Sequence, residues 1–385
     1  MASVNLSGVN KWYGTTVHAV RDISFKIEDG EFFGLLGPSG SGKTSVLRML
    51  VGLERPTSGT IEFDNVPVEA KTPQERNVAM VFEQNALYPH MSARQNIAYP
   101  LKIRGLRKSE IEEKVTSVAK LLNISHLIDR RAAQMSGGQQ QRVAIARALV
   151  RQPNLLCFDE PIAHLDTLLR ARLRGELKRL QRALGTTSVI VTHDPIEAMT
   201  MTDRIALMHD GVIQQVGTAD EIYNRPVNAF VGQFFGLHSM NIFTVSDIHV
   251  ASSRSDQCEE QKVALPKFIE SHLSNASRKM LFGSRPSGVS VYPQGEAPRD
   301  ADALMLSGRV YVAEQLGDSV LVTIQAGNAT IQAMTPPSHR FGLDEPVDIV
   351  IREDSLYIFD GEDQRTLRFA SGHTALQIDH LASCA

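Results

Sequence analysis

The octet GPSGSGKT, residues 37–44, follows the apolar run FFGLL at residues 32–36 and leads into TSVLRMLVGL at residues 44–53. It fits the pattern G-x-x-x-x-G-K-[ST], in which glycines let backbone N–H groups turn inward around a phosphate chain. The run before it predicts a buried strand, and the run after it has apolar residues at helical spacing. A phosphate would therefore lie at a helix N-terminus, where free N–H groups and the macrodipole favour negative charge. We expect Lys43 to reach the terminal phosphates of a nucleotide and the Thr44 hydroxyl to ligate Mg²⁺.

The bulk composition is that of an ordinary globular protein. The chain has 385 residues, of which 42% are hydrophobic and 22% charged, and this length suggests two or three domains. A net charge of −3 gives no basic excess that would point to nucleic acid. The three cysteines, Cys157, Cys258 and Cys384, are odd in number and widely spaced, which argues against a disulfide framework and suits a reducing compartment. The first residues lack the apolar core of a signal peptide, and no stretch has the length of a membrane span, so partner chains would have to cross any membrane.

The pattern of apolar residues divides the chain into two parts. Residues 1–235 alternate short apolar runs with helical patterns, and the continuous runs FFGLL, LLCFD and SVIVT are typical of strands buried on both faces of a parallel sheet. This predicts an α/β core with a helical segment at about residues 84–150. After about residue 236 the character changes: residues 244–280 are polar and mixed, and from Leu281 to Ile358 short alternating runs recur, separated by Gly, Asn and Asp. These runs predict a small antiparallel β-domain, which we place at residues 236–368. Residues 369–385 are expected to be a tail, and the polar segment from Gly361 to Ala385, which shows no clear periodicity, is expected to be mobile.

A pair of carboxylates ends one of the buried strands. Asp159 and Glu160 are the last two residues of LLCFDE, directly after the apolar run. One carboxylate of such a pair can hold Mg²⁺, and the next can polarise an attacking water. The alternative, a surface acidic pair after a strand, is weakened by the phosphate loop upstream.

A second predicted anion site lies about a hundred residues after the first, in MSGGQQQRVAIARAL at residues 135–149. Ser136 has the character of a helix N-cap, and Gly137 and Gly138 bare the backbone at the start of a long helix. One nucleotide cannot use both helix termini within one subunit if each lies on its own helix. Two subunits arranged head to tail could enclose it between them.

These motifs, in this order and spacing, resemble those of ABC-transporter ATPases, and the greatest similarity is to the maltose-type subfamily that powers bacterial sugar importers. The segments GLERPTSGTIEFD, ALYPHMSARQNIAYPL, VTHDPIEAM, DGVIQQVGT, EIYNRPVNAFVGQFFG and GSRPSGV carry the resemblance over about residues 3–368. It implies a P-loop ABC ATPase core with a helical subdomain, followed by a C-terminal OB-like β-barrel regulatory domain. It also implies ATP and Mg²⁺ as cofactors.

The resemblance assigns the nucleotide to a set of residues in this chain. Tyr13 matches the aromatic that stacks on adenine, although a tyrosine packed on its own sheet is the alternative. The phosphates are assigned to one contiguous set, the Walker A loop: Gly37, Pro38, Ser39, Gly40, Ser41, Gly42, Lys43, Thr44 and Ser45. Ser136, Gly138 and Gln139 belong to the family signature and would act in trans on ATP held by a partner subunit.

The remaining roles concern hydrolysis. The resemblance makes Asp159 the Walker B aspartate that holds Mg²⁺ and Glu160 the general base. His193, after the strand SVIVT, matches the switch histidine that contacts the γ-phosphate, whereas a lone histidine would more often be structural. Asp166 matches the D-loop aspartate at the subunit interface.

The sequence departs from the family pattern at three places. Glu83 stands where the family has the Q-loop glutamine, with Gln84 beside it. A carboxylate can also ligate Mg²⁺, but it adds negative charge near the phosphates and cannot donate a hydrogen bond when ionised. Ala163 and His164 replace the usual D-loop residues, and Pro195 replaces a common glutamine. Since Lys43 and the hydrolytic residues remain, we expect a competent ATPase with Glu83, or else Gln84, in the Q-loop role.

The resemblance also implies partners and a location. We expect a second ATPase subunit, either an identical copy or a paralogue, together with two transmembrane permeases and, indirectly, an extracytoplasmic solute-binding protein. The expected site is the cytoplasmic face of the inner membrane, and the solute is a sugar, a polyol or glycerol, or glycerol 3-phosphate. An OB-like barrel can bind nucleic acid, but this one lacks a basic, aromatic face, so no nucleic acid is expected. The alternatives are a soluble ABC ATPase outside transport, a protein whose ATPase is vestigial, and an importer for another class of solute.

Overall fold

The structure is a computed structural model that describes residues 2–84, 86–163, 166–244, 280–298 and 302–370. The chain forms two compact units, residues 1–219 and 220–385. The predicted domain boundary at 235/236 lies inside the second of these units. Because a compact unit and a family domain need not end at the same residue, that boundary stays a prediction. Among the described residues, no helix combines the length and the apolar character needed to cross a bilayer.

The first unit alternates strands and helices, as predicted for an α/β protein. In chain order its elements are β1 (Val4–Tyr13), β2 (Val17–Ile27), β3 (Phe32–Leu36), α1 (Lys43–Val51), β4 (Ser58–Phe63), β5 (Val66–Pro67), β6 (Val78–Val81), α2 (Ala93–Ile103), α3 (Lys108–Leu121), α4 (Gly137–Leu149), β7 (Leu155–Asp159), α5 (Thr167–Leu184), β8 (Thr187–Thr192), α6 (Pro195–Met201), β9 (Arg204–His209) and β10 (Val212–Gly217). The predicted strands FFGLL and LLCFD are β3 and β7, and SVIVT lies in β8.

The central sheet has six strands in the order β10-β9-β3-β8-β7-β6. All neighbours from β9 to β6 are parallel, and only β10 pairs antiparallel. Every residue of β3 and β8 is buried, which explains why these strands read as unbroken apolar or small-residue runs. Parallel strands end at one edge of their sheet. The segments that follow β3, β6, β7 and β8, which contain the predicted phosphate loop, Glu83, Glu160 and His193, therefore begin at one edge.

A second, antiparallel sheet of the first unit has the order β2-β1-β4-β5. Tyr13 is the last residue of β1 and pairs with Val17 across the turn to β2. The pairing of β1 with β2 shifts register at several points, so the strand bends near its end. This sheet places the predicted adenine-stacking residue at a strand end.

The helices α2, α3 and α4 have a hydrophobic core of their own. Ile97, Leu101, Val115 and Val143 are buried together there. Helix α2 starts with a capping box, in which Ser92 and Gln95 satisfy each other's backbone N–H groups. All three helices lie in the helical segment predicted at about residues 84–150, and α4 is the long helix predicted after Ser136.

The second unit is mainly antiparallel β-structure, as predicted for the C-terminal region. Its elements are α7 (Ala219–Asn224), α8 (Ala229–Phe234), β11 (Asn241–Thr244), β12 (Met280–Ser284), β13 (Val289–Pro293), β14 (Ala303–Gln315), β15 (Val320–Ala326), β16 (Ala329–Thr335), β17 (Pro346–Arg352), β18 (Leu356–Asp360) and β19 (Thr366–Arg368). Two sheets, β11-β12-β18-β19 and β13-β17-β14-β15-β16, share one hydrophobic core in a barrel-like arrangement.

The expectation that the chain is mobile from Gly361 on is wrong for part of that segment. Residues Thr366–Arg368 form β19, which pairs with β18, and the Asp360 backbone N–H donates to the Arg365 carbonyl at 2.8 Å to close the turn between them. So short a strand has no periodicity of its own, and pairing with a buried neighbour stabilises it. Most of the predicted tail, from residue 371 on, lies outside the described residues.

A buried arginine fixes the helix that follows the phosphate loop. Arg76 is 2% exposed, and its Nη1 donates to the carbonyls of Met49 at 2.6 Å and Leu50 at 2.9 Å, at the C-terminal end of α1. Its Nε donates to the Lys71 carbonyl at 3.1 Å. A cation at this end complements the helix dipole and satisfies carbonyls that have no partner within the helix.

We predict that Arg76→Met lowers the free energy of unfolding of the first unit by about 2–4 kcal/mol, because it leaves buried carbonyls without donors. Urea unfolding followed by the fluorescence of Trp12, the single tryptophan of the chain, measures this in β1. The control is Arg104→Met, which removes an exposed arginine that donates to Asn77 Oδ1 at 2.8 Å. That control should cost about 0.5 kcal/mol or less. Equal unfolding midpoints for the two variants would contradict the assigned role of Arg76.

Candidate active site

The loop from Gly37 to Thr44 joins the end of β3 to the start of α1, as its sequence predicts. Gly42 is the N-cap of α1 and has a left-handed backbone with φ of 102°. A Cβ at Gly37 would lie 2.1 Å from the Met208 carbonyl oxygen, and one at Gly42 would lie 2.3 Å from that of Ala19. Both positions therefore require glycine. The result is a tight backbone cradle at a helix N-terminus, the shape that suits a phosphate chain.

Lys43 is the buried cation of this loop. Its side chain is 5% exposed, and Nζ donates to the carbonyls of Gly37 and Pro38, each at 2.9 Å. Burial lowers the pKa of Lys43, while the nearby carboxylates of Glu160 and Asp159 act in the opposite direction. The ammonium group thus lies between the loop backbone and the acidic pair.

Ser41 supplies a test of whether this loop fits a bound phosphate group. The residue is 2% exposed, and its Oγ is buried without a hydrogen-bond partner in the part of the chain that the structure describes. A buried hydroxyl that lacks a partner costs free energy, so an unexplained one calls for a ligand or another functional reason. The orphaned hydroxyl, the glycine cradle and the Lys43 cation together fit a phosphate chain.

Tyr13 lies beside the first turn of α1. Its hydroxyl donates to Ser45 Oγ at 3.2 Å, and Lys11 Nζ lies 5.0 Å from the centre of its ring. The ring is half-buried at the end of β1. The contact with Ser45 brings the predicted stacking residue to the phosphate loop. Its role toward adenine stays a prediction.

Asp159 and Glu160 lie at the end of β7 in different environments. Burial raises the pKa of Asp159, and the negative charges of Glu160 and Glu83 raise it further. Glu160 has a left-handed backbone with φ of 45°, uncommon for a residue with a side chain, and its N–H donates to the Val191 carbonyl of β8 at 3.0 Å. Asp159 is thus the last residue of the strand, whereas the backbone turns away from the strand direction at Glu160.

His193 meets Glu160 across the ends of two adjacent strands. The distance between His193 Nδ1 and Glu160 Oε2 is 3.1 Å. His193 directly follows β8, whose Val191 pairs with Asp159 of β7, so the strand register brings the two side chains together. The structure therefore joins two residues that the sequence separates by 33 positions.

The side chain of Glu83 is exposed just after β6, and so is that of Gln84. The effect of Glu83 on the pKa of Asp159 shows that its charge reaches the acidic pair. Ala86, which also follows, has a left-handed backbone with φ of 45°. The choice between Glu83 and Gln84 for the Q-loop role stays open. Asn85, between them and Ala86, lies outside the described residues.

The signature residues cluster at the start of α4. Ser136 is the N-cap, as predicted, and its backbone N–H donates to Gln139 Oε1 at 3.1 Å, while Gly138 is buried in the same turn. Within the described residues, no hydrogen bond joins these three to residues 37–45. Their predicted action on another subunit's nucleotide stays a prediction.

Asp166 has a local contact that the sequence did not reveal. It is the N-cap of α5, and its Oδ1 accepts a hydrogen bond from the Leu169 backbone N–H at 3.0 Å. The preceding D-loop residues, His164 and Leu165, lie outside the described residues. The role of Asp166 at a subunit interface stays a prediction.

Sequence reasoning missed the side chains that support His193. The Thr192 hydroxyl donates to Glu197 Oε2 at 2.6 Å and accepts from the Asp194 backbone N–H at 3.0 Å. Pro195 occupies the first turn of α6, where its missing N–H costs nothing. Thr192, Asp194 and Glu197 therefore hold the backbone on both sides of the histidine. The spacing of a capping aspartate and a first-turn glutamate before an apolar helix was the available signal.

Comparison with known proteins agrees with this geometry. The sequence profile of the family described as ABC transporter matches residues 20–163. The sulfoquinovosyl glycerol transport ATP-binding protein SmoE of Agrobacterium fabrum is 40% identical over 367 residues, which cover 95% of this chain and 100% of the relative. The chain belongs to the ABC transporter family. The resemblance inferred from the motifs is therefore confirmed.

Two further members of the ABC transporter family show how far the similarity extends. The trehalose/maltose import ATP-binding protein MalK of Thermococcus litoralis is 41% identical over 370 residues, covering 94% of this chain and 98% of the relative. The solved structure of cbiO1 from Clostridium perfringens, part of the ABC transporter complex cbiONQ, is 31% identical. It superposes with a TM-score of 0.54 and covers 57% of this chain and 89% of its own. The similarity to MalK thus spans nearly the full length of both chains.

The network beside His193 gives a prediction about pH. Glu197 is 3% exposed, and burial raises the pKa of its carboxyl, while the Thr192 hydroxyl bond acts in the opposite direction. A carboxyl with a raised pKa in the folded state destabilises the fold when ionised, and this cost disappears as the pH falls through the folded-state pKa toward 4.5. Glu197→Gln, which still offers an oxygen to Thr192, should therefore increase the free energy of unfolding at pH 8. Its advantage should vanish near pH 4.5.

The measurement is urea unfolding at pH 8, 6 and 4.5, followed by Trp12 fluorescence. Glu113→Gln, on the exposed face of α3, controls for the loss of one negative charge. A Glu197→Gln variant that is less stable than the wild type at pH 8 would show that the carboxylate's contacts outweigh the cost of its burial.

Proposed function

We propose that this chain is the ATP-binding and ATP-hydrolysing subunit of an ABC importer that energises uptake of a sugar, a polyol or glycerol, or a glycerol 3-phosphate-type solute. The observation that carries the hydrolytic part is the 3.1 Å contact between Glu160 and His193 beside the Lys43 loop. The names of SmoE and MalK support the transport part, since one denotes sulfoquinovosyl glycerol transport and the other trehalose/maltose import. The solute itself is selected by partner chains.

Each residue of the site has a chemical task in this proposal. Lys43 and the backbone N–H groups of residues 37–45 bind the phosphates, and Tyr13 stacks on the adenine. Glu160 accepts a proton from the attacking water, while His193 holds the Glu160 carboxylate and contacts the terminal phosphate. Thr44 and Asp159, with Glu83 as a further candidate, would hold Mg²⁺, which when bound neutralises negative charge on the phosphates.

The second half of the site comes from another subunit in this proposal. Ser136, Gly138 and Gln139 form a helix N-terminus that no hydrogen bond joins to the phosphate loop of their own chain, in the described residues. A head-to-tail pair places the signature of each subunit against the nucleotide of the other. The partner is an identical copy or a paralogue.

A groove between β6 and the helical region supports the proposed permease partner. It has a volume of about 420 Å³, and its lining includes Leu53, Phe82, Tyr99 and Ile103. Ile103 is 71% exposed. An exposed apolar groove marks a site for a partner, and the resemblance assigns this segment to a permease helix. We therefore place the chain on the cytoplasmic face of the inner membrane, bound to two permeases, with a solute-binding protein acting through them.

A soluble ABC ATPase outside transport is the competing function. The apolar groove favours transport, because a soluble ATPase has no need to bind a membrane partner there. Co-purification of the tagged chain with membrane permeases discriminates between the two. Recovery of the chain without any membrane protein, under conditions in which it hydrolyses ATP, would favour the soluble alternative.

The hydrolytic assignment predicts that Glu160→Gln binds ATP but does not turn it over, so that ATP–Mg²⁺ traps a closed dimer. Sizing chromatography with saturating ATP–Mg²⁺ measures the dimer, and phosphate release measures turnover. Lys43→Ala is the matched control, since it removes charged contacts to the phosphates that contribute about 1.5–3 kcal/mol. We expect it to bind ATP about tenfold or more weakly and to stay monomeric. Unchanged turnover in Lys43→Ala would contradict the phosphate-loop assignment. If the true partner is a paralogue, Glu160→Gln should form a dimer only when that paralogue is also present.

Glu83 gives a prediction specific to this chain. Without Mg²⁺, the Glu83 carboxylate adds negative charge near the triphosphate and should weaken binding of ATP, whereas bound Mg²⁺ at ligand distance should attract that carboxylate. Glu83→Gln should therefore bind ATP more tightly than the wild type in EDTA, with a smaller difference at saturating Mg²⁺. Gln84→Ala is the neighbouring control. If Glu83→Gln and the wild type bind ATP equally in both conditions, Glu83 points away from the site and Gln84 is the better candidate.

A further inference from the structure

The turn that follows Glu160 is held by side chains from two different helices. Gln141, on α4, donates from Nε2 to the Pro161 carbonyl, and Arg170, on α5, donates from Nη2 to the Ala163 carbonyl at 3.0 Å. The two donors lie at opposite ends of the short segment Pro161–Ala163. None of the roles assigned above involves Gln141 or Arg170.

Glu160 needs such support because of its backbone. Its φ of 45° is a left-handed conformation that a residue with a side chain adopts only when the surrounding structure imposes it. The N–H of Glu160 is held by Val191 of β8 at 3.0 Å, and its carbonyl accepts a long hydrogen bond from the Ala163 N–H at 3.3 Å. The carbonyls of Pro161 and Ala163 are two further points at which this turn is fixed, and these are the groups that Gln141 and Arg170 bind.

Gln141 is a buried amide side chain whose burial costs free energy. It is 1% exposed, and its Oε1 is buried without a hydrogen-bond donor in the part of the chain that the structure describes. An apolar side chain of similar size would avoid this cost. The hydrogen bond to Pro161 is the interaction that an amide supplies at this position and an apolar side chain cannot.

Arg170 connects the turn after Glu160 to the segment that contains His193. Its Nη1 lies 3.9 Å from Asp194 Oδ2, and Asp194 directly follows His193. One guanidinium therefore contacts the backbone after Glu160 and the side chain after His193. This arrangement restrains both residues of the 3.1 Å pair relative to each other.

We propose that Gln141 and Arg170 are positioning residues of ATP hydrolysis, which hold the Pro161–Ala163 turn so that Glu160 keeps its left-handed backbone and faces His193. The inference rests on the proposed function, in which Glu160 is the general base.

The positioning role of Gln141 also has a regulatory consequence. Gln141 lies two residues after Gln139, on the helix whose first turn is proposed to bind the partner subunit's nucleotide. Movement of α4 on binding that nucleotide would act through Gln141 on the turn that aims Glu160 of the same chain.

The test compares kcat for ATP with the affinity for ATP. Gln141→Met and Arg170→Met should each lower kcat by about tenfold to a hundredfold, part of the 10²–10⁴ that a well-placed general base supplies, and should change ATP affinity by less than about twofold. Arg170→Lys, which keeps a cation and a donor, should recover most of the loss in kcat. Loss of structure alone would not produce this separation of kcat from affinity or the recovery by lysine.

Gln181→Met is the matched control for Gln141→Met. Gln181 is also a buried glutamine, 5% exposed, which donates from Nε2 to the carbonyls of Gly30 at 2.8 Å and Thr186 at 3.0 Å, at the far end of α5. Its replacement removes the same kind of hydrogen bond without touching the Pro161–Ala163 turn. Because Gln181 makes two such hydrogen bonds, Gln181→Met should lower the urea midpoint at least as much as Gln141→Met does, and leave kcat within about twofold of the wild type.

The outcomes separate this inference from the proposed function. If the wild type hydrolyses ATP and Glu160→Gln does not, while Gln141→Met and Arg170→Met keep kcat within twofold, the positioning inference is overturned and the proposed function survives. If the wild type does not hydrolyse ATP, the proposed function itself fails. Should Gln141→Met not fold, Arg170→Met and Arg170→Lys decide the question, because Arg170 lies nearer the surface, with a side chain 33% exposed.

Discussion

The 3.1 Å contact between Glu160 and His193 depends on one constraint, the parallel register of β7 and β8. That register pairs Asp159 with Val191, so the Glu160 N–H meets the Val191 carbonyl and the chain leaves the strand with a left-handed turn. The histidine follows two residues later at the same edge. The Lys43 loop after β3 and Glu83 after β6 are positioned by the same sheet, because parallel strands bring their carboxyl ends together.

This edge of the sheet brings together carboxylates that repel one another and a lysine whose charge is buried. Partial burial and the negative charges of Glu160 and Glu83 raise the pKa of the half-buried Asp159 carboxyl, and burial lowers the pKa of Lys43. Such an arrangement costs stability in the free protein, and a ligand that carries both anionic oxygens and a cation would relieve it. Hydrogen bonds elsewhere in the unit offset this loss of stability, among them those of Arg76 at the other end of α1.

The parts of the fold that the sequence predicted are those governed by local pattern. FFGLL and LLCFD are unbroken apolar runs because their residues are almost all buried, and the phosphate loop has glycines where a Cβ would collide with Met208 or Ala19. What sequence reasoning missed depends on contacts between distant segments. The hydrogen bond from Gln141 to Pro161 spans 20 positions, and β19 exists through its pairing with β18. A glutamine inside an amphipathic helix has no pattern that reveals which carbonyl it binds.

Helix α4 must satisfy two requirements at once, and they explain its composition. In the proposed function its first turn leaves backbone N–H groups accessible to a nucleotide, which Ser136, Gly137 and Gly138 allow. Its body must pack against the sheet and the helical region, which the buried Val143, Ile145 and Leu149 achieve. Gln141 lies between these two parts, where an apolar residue would suit packing better. In the proposed mechanism α4 carries an anion site at its first turn and a polar contact to the turn after Glu160 one step along, so a displacement of the first reaches the second. This role accounts for a buried amide at Gln141, whose Oε1 has no hydrogen-bond partner among the described residues.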